Sequence, residues 1–126
     1  MMKYLLFFGL SLLIFSGCGP QKKYYWGEYE NDLYNYYKSP QTPEDQNSYM
    51  MQLSTLIANA QASKGLVPPG IYAEYGYALF KTSKYPGAIE NFEKEKSAWP
   101  ESKPLMERLI TNVHVLMNKK IPLSEK

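Results

Sequence analysis

Apolar residues recur every three or four positions along most of the chain beyond residue 25. This spacing is typical of helices that bury one face, and no long segment shows the alternation with a period of two that indicates a strand. Proline and glycine residues divide the pattern. The sequence therefore predicts an all-α fold of about five helices, which cover approximately residues 26–38, 43–64, 71–81, 86–98 and 104–118.

The ends of these helices have recognisable signals. Thr42 can cap the second helix, Pro43 suits its first position, and Gly65 follows its end. The residue before Pro40 avoids helical geometry, which ends the first helix. For the last helix we expect Leu105, Leu109, Val113 and Leu116 on one apolar stripe, with Met106, Ile110 and Met117 beside it.

Residues 69–102 resemble one 34-residue tetratricopeptide unit, which is a pair of antiparallel helices. The residues that match its pattern, and that we expect to pack at the helix crossing or end the unit, are Tyr72, Tyr75, Gly76, Leu79, Tyr85, Ala88, Phe92 and Pro100. Glu95 departs from the pattern, which has a small residue there, and we expect the charged run 90–96 to face solvent. The first two helices then form a degenerate repeat, and the fifth closes the stack. The alternative is an unrelated helical hairpin with the same spacing.

Aromatic residues are concentrated in the first helix, since six of the twelve tyrosines lie between residues 24 and 37. We expect Trp26, Tyr29, Leu33 and Tyr37 on its buried stripe, with other tyrosines directed outward. Exposed Tyr and Trp are favoured at interfaces because they combine apolar area with a polar tip. The candidate partner-binding residues are Tyr25, Trp26, Tyr34, Tyr36 and Tyr77. The alternative is that the tether or a loop covers them.

The start of the chain has the features of a secretory signal peptide. Lys3 precedes an apolar run from residue 4 to residue 15, which is too short to span a bilayer comfortably. The run ends near Gly17 and Cys18, and this arrangement resembles the lipobox of bacterial lipoproteins. The resemblance implies that residues 1–17 are removed and that Cys18 carries acyl chains, the covalent lipid being the only added group expected. A lone buried thiol is the alternative.

Cleavage at this site leaves about 110 residues, close to the commonest domain size. We expect a lipidated tether at 18–24, the tetratricopeptide-like domain at 25–120 and a frayed tail at 121–126. In Gram-negative lipoproteins an aspartate after the acylated cysteine commonly favours the inner membrane. By that resemblance Gly19 implies the periplasmic side of the outer membrane, the inner membrane being the alternative.

Charge and motifs indicate no catalytic or nucleic-acid chemistry. The chain has 14 basic and 12 acidic residues, and its lysines and arginines do not cluster as in nucleic-acid-binding proteins. The one cysteine allows no disulfide within the chain, and the one histidine, His114, has no histidine or cysteine partner for a zinc site. The sequence contains no metalloprotease, hydrolase-elbow or phosphate-loop motif. We expect no enzyme activity, no metal or soluble cofactor and no small-molecule substrate.

The stretches 24–37, 75–79 and 88–102 also resemble a small family of bacterial lipoproteins of unknown activity. Members are typically encoded beside a lipoprotein similar to the curli secretion pore, which implies an accessory role in an outer-membrane assembly. The sequence thus leaves two hypotheses. The first is an anchored scaffold that binds a protein partner, which the resemblance implies is another lipoprotein. The second is a lipoprotein that binds peptidoglycan or another glycan through its tyrosines.

Overall fold

The computed structural model describes residues 23–120, and every regular element within this range is helical. The prediction of an all-α fold with about five helices is confirmed. The expected signal peptide, the lipidated Cys18 and the expected tail lie outside the described residues. The elements are α1 (Tyr29–Lys38), α2 (Pro43–Ala62), α3 (Ile71–Lys81), α4 (Tyr85–Ala98), a 3-10 turn (Pro100–Ser102) and α5 (Lys103–Lys120).

The predicted start of α2 is stabilised by a reciprocal capping box. The Asp45 backbone N–H donates to Thr42 Oγ1 over 3.2 Å, and the Thr42 backbone N–H donates to Asp45 Oδ2 over 2.9 Å. Two backbone donors that a helix start leaves unpaired are thereby satisfied. Pro43 fits the first position because it has no N–H to satisfy.

Helix α1 begins three residues later than predicted, at Tyr29. The preceding segment is extended and pairs with the connector between α2 and α3. Tyr25 N donates to Leu66 O over 3.1 Å, and Leu66 N donates to Lys23 O over 3.3 Å. Gly27, at φ +48°, turns the chain from this pairing into the helix. Lys23 and Tyr24, expected in the tether, therefore contact the folded domain.

Helices α3 and α4 form a close antiparallel pair around Gly76. A Cβ at this position would lie 2.8 Å from Phe92 Cε1 and 3.1 Å from the Ala88 carbonyl oxygen, so no larger residue fits without movement. Ala88, Phe92, Tyr72 and Leu79 are buried as expected, while Tyr75 and Tyr85 are partly buried. Pro100 is exposed and begins the turn that follows α4. This close crossing is the packing that the tetratricopeptide resemblance implies.

Helix α5 packs on α4 through part of the expected stripe and the residues expected beside it. Met106 and Val113 are buried, with Leu109, Ile110 and Met117 partly buried beside them. Leu105 is 57% exposed and Leu116 is also exposed, so their expected place on the buried stripe is wrong. Met106, rather than Leu105, packs in the core with Ala88 and Phe92 of α4.

The alternating helix directions give the domain two ends. The rings of Tyr24 and Trp99 are 5.6 Å apart, which brings the segment before α1 and the segment after α4 together. We call this the amino-terminal end, formed by residues 23–28, 63–70 and 98–103. The opposite far end contains residues 39–42 and 82–84, where α1 and α3 finish.

Candidate functional site

A partly buried carboxylate, that of Glu74, joins the first three helices. The Tyr29 hydroxyl donates to Glu74 Oε2 and the Tyr49 hydroxyl donates to Glu74 Oε1, each over 2.7 Å. Burial, and then the bond to Glu74, raise the pKa of both tyrosines, so both hydroxyls keep their protons and remain donors. The arrangement fixes α1 and α2 against α3, and it thereby positions the surface described next.

Aromatic rings form a continuous surface from α1 across α3 to the start of α4. The Tyr36 and Tyr37 centroids are 5.4 Å apart, and Lys81 Nζ lies 5.8 Å from the Tyr36 centroid and 5.6 Å from the Tyr77 centroid. The Phe80 centroid is 6.0 Å from Tyr77 and 6.0 Å from Tyr85. We call this surface the aromatic strip; its members are Tyr36, Tyr37, Tyr77, Phe80, Lys81 and Tyr85.

The exposure of the two tyrosines on α1 is the reverse of the expectation. Tyr36 is 8% exposed and stacks on Tyr49 with centroids 4.3 Å apart and planes at 5°, whereas Tyr37 is 67% exposed. Tyr29, Leu33 and Tyr36 form the inner stripe because they are spaced four and three residues apart. The expected stripe began at Trp26, which precedes α1. Tyr36 is therefore the buried ring of this pair in the strip, and Tyr37 is the exposed one.

Lys81 is held by aromatic groups. Its Nζ donates to the Tyr36 hydroxyl over 3.3 Å and lies over two rings. The ion pairs among residues 23–120 join other residues: Lys94 with Glu90, Lys96 with Glu93, and Lys103 with Glu107. The Lys81 ammonium is exposed and can therefore form an ion pair with a carboxylate from outside the domain.

The depression beside Tyr36, Tyr77 and Lys81 is small. Its volume is about 70 Å³, whereas sites for drug-sized ligands are typically about 300–1,000 Å³. The strip is consequently an open surface rather than an enclosed pocket.

The five predicted partner-binding residues do not form one site. Tyr36 and Tyr77 belong to the strip, and Tyr77 is exposed. Tyr25 is half-buried against the core between α2 and α3, and Trp26 is 46% exposed at the amino-terminal end. Tyr34 is exposed on α1, where the Lys38 ammonium lies 5.6 Å from its ring centroid.

The sequence interpretation missed the role of Glu95. This residue is 2% exposed, so its expected place on a solvated face is wrong. Gly70 N donates to Glu95 Oε1 over 2.7 Å, and Ala73 N lies 3.4 Å from Oε2, so the carboxylate caps the start of α3. Burial raises the pKa of Glu95, and the backbone donors partly oppose this shift. The departure from a small residue at this repeat position was the available signal.

Residues 23–120 contain neither a cluster of metal-binding side chains nor a membrane-spanning helix. Within this range, no three His, Cys, Asp or Glu side chains lie together in a way that could hold a metal ion. His114 is exposed on α5. None of the helices in the described part of the chain is long and apolar enough to cross a membrane.

The paired helices and the aromatic strip place this protein in the class of small all-helical domains with an aromatic surface. Residues 23–109 match the family described as a domain of unknown function, DUF4810, and the chain belongs to this family. No curated protein and no solved structure matches the chain. The expected membership in a family of unknown function is thus confirmed, and the genomic neighbourhood that the resemblance implied stays a prediction.

Proposed function

We propose that this protein is a lipid-anchored, non-catalytic scaffold that holds a segment of a partner protein on its aromatic strip. The observation that carries the proposal is the exposure of Tyr37 and Tyr77 on one surface, where Lys81 links the Tyr36–Tyr37 pair to the Tyr77–Phe80 pair. Monomeric proteins rarely expose extended apolar surface without an interaction role, and tyrosine is among the residues that contribute most binding energy at interfaces.

The direction of the strip favours an extended partner segment. It crosses from α1 over α3 to the start of α4, so a bound chain can contact Tyr37, then Tyr77, then Tyr85. Lys81 lies between the Tyr36 and Tyr77 rings and supplies a positive charge. A partner segment with a carboxylate flanked by apolar or aromatic side chains fits this order of groups.

The site of action in this proposal comes from Cys18 and Gly19. The resemblance to a lipobox supports acylation of Cys18, and two or more acyl chains are enough for stable anchoring. Gly19 supports the periplasmic side of the outer membrane. The family resemblance supports an accessory role beside another lipoprotein, such as one similar to the curli secretion pore.

Recovery of the partner from crosslinked membranes tests the binding surface. We expect Tyr77→Ala and Lys81→Ala each to lower recovery of the partner severalfold, because each removes a central part of the strip and an interface anchor contributes about 2 kcal/mol or more. Leu105→Ala is the matched control, since it removes another exposed apolar side chain, at the opposite end of the domain. Unchanged recovery from both strip variants, with retained helical circular dichroism, would refute this role.

Cosedimentation with peptidoglycan sacculi distinguishes the glycan hypothesis. Stacked tyrosines can also bind sugar rings, so a glycan binder should sediment with purified sacculi and lose this property in Tyr77→Ala. A protein scaffold should remain in the supernatant. Strip-dependent sedimentation would replace the scaffold proposal with the glycan one.

A further inference from the structure

The amino-terminal end of the domain carries a second exposed surface that the aromatic strip does not include. Trp26 is 46% exposed and Leu66 is 49% exposed, and the neighbouring Lys23 and Lys64 are exposed as well. We call these four residues the basal patch. Large apolar side chains beside lysines are the composition found where proteins meet the headgroup layer of a membrane.

The backbone holds the basal patch in a fixed arrangement. The bonds from Tyr25 N to Leu66 O and from Leu66 N to Lys23 O join the two segments that carry it. The Trp26 ring lies 5.6 Å from the Tyr29 ring, which supports it from one side. The patch is therefore already formed in the folded domain, and docking requires little additional ordering.

The length of the chain limits the distance between this patch and the proposed lipid anchor. Lys23 is the fifth residue after Cys18, and five fully extended residue steps span at most about 18 Å. A domain acylated at Cys18 must therefore keep its amino-terminal end close to the bilayer surface. Its far end is less constrained, because α3 alone separates the two ends by about 16 Å.

We propose that the basal patch docks on the lipid surface, with the Trp26 and Leu66 side chains in the headgroup layer. The occupant is the bilayer that holds the Cys18 lipid, and the inference rests on the lipid anchor of the proposed function. Apolar insertion dominates the contact, because Lys23 and Lys64 are opposed by the exposed Glu28 in the same segments. Docking directs the far end, with Tyr77 and Lys81 near it, away from the bilayer.

Tryptophan fluorescence can test this docking, because the chain has only two tryptophans. The full lipidated protein is reconstituted into phosphatidylethanolamine–phosphatidylglycerol vesicles, with or without bromine on the acyl chains. In Trp99→Phe, which retains only Trp26, we expect a blue shift on reconstitution and a loss of emission with brominated lipid. In Trp26→Phe, the remaining half-buried Trp99 should lose less emission.

A thiol probe gives a second measurement that does not depend on replacing Trp99. Cys18 is the only cysteine and is acylated in the proposal, so Leu66→Cys provides a unique reactive thiol. An environment-sensitive dye at residue 66 should shift to the blue in vesicles, whereas the same dye on Lys84→Cys at the far end should not.

The possible outcomes separate docking from anchoring. Protein that floats with the vesicles but shows no quenching of Trp26 and no shift at residue 66 overturns docking and leaves the anchor intact. Protein that does not float with the vesicles overturns the lipid anchor, and the docking inference fails with it.

Discussion

Glu95 is an ionisable residue of α4 that is buried against the start of α3. Its carboxylate accepts from the Gly70 N–H at the start of α3, where the chain has φ +90° and the helix has no side-chain cap of its own. A carboxylate near a helix N-terminus is favourable because it complements the helix dipole. Sequence spacing alone could not show this, since the same charged run is also typical of a solvated face.

Replacement of Glu95 by alanine should destabilise the domain. The change leaves the Gly70 N–H without its partner and removes buried atoms, so we expect a decrease of about 1–3 kcal/mol in the free energy of unfolding. Urea denaturation followed by circular dichroism measures this. Glu93→Ala, at an exposed position on the same helix, is the control and should change stability little.

The raised pKa of Glu95 also predicts a pH dependence. Folding raises the pKa of this carboxyl, so its protonated form stabilises the folded state. The contribution to the free energy of unfolding is complete below the unfolded-state pKa of about 4.3 and is lost as the pH rises through the folded-state pKa. As the pH rises from about 4.3 through the folded pKa, the free energy of unfolding of the wild type should therefore fall relative to Glu95→Gln. A wild-type advantage that grows with pH in the same denaturation experiment would contradict the assigned shift.

At the scale of elements, sequence signals predicted the helices better than the faces that they bury. The bounds of α3 agree with the prediction, because Gly70 and the Thr82–Lys84 turn mark its ends clearly. The buried faces of α1 and α5 were predicted only in part: Tyr29, Leu33, Leu109 and Val113 pack in or against the core as expected, whereas Tyr37, Leu105 and Leu116 are exposed. Pairing of residues 23–25 with the α2–α3 connector precedes α1, and a 3-10 turn precedes α5. Neither contact is visible in the local pattern.

The corrected face of α5 can be tested with neighbouring residues. Met106→Ala should lower the free energy of unfolding by about 2–5 kcal/mol, because Met106 is fully buried against α4. Leu105→Ala should change it by less than about 0.5 kcal/mol. Thermal or urea denaturation of both variants measures the difference, and the opposite ranking would restore the stripe predicted from the sequence.

At the scale of the whole molecule, the two ends have separate proposed roles. In the proposal the basal patch docks on the bilayer, and the aromatic strip lies towards the far end. From the sequence, the excess of tyrosines in residues 24–37 correctly indicated that α1 carries exposed aromatic surface. It could not indicate Lys81 and Phe80 as members of the strip, because they join Tyr36 and Tyr77 only when α1 and α3 pack side by side.

The anchor has a direct genetic test. Cys18→Ser should release the protein from the membrane fraction, because a hydroxyl does not replace the thiol that receives the lipid. The helices should remain folded, since Cys18 lies outside residues 23–120, where the described core packs. Fractionation of cells followed by immunoblotting measures the release. A membrane fraction equal to that of the wild type would contradict lipidation at this residue.

The most direct measurement of the central claim is site-specific photocrosslinking in intact cells. A photoreactive amino acid is placed at Tyr77 on the strip or, as a control, at Leu105, another exposed residue, at the other end. We expect Tyr77 to give a discrete light-dependent adduct with another envelope protein, and Lys81→Ala to reduce it, while position 105 gives none. Anchored, folded protein that forms no adduct from position 77, or the same adduct from both positions, would contradict the account.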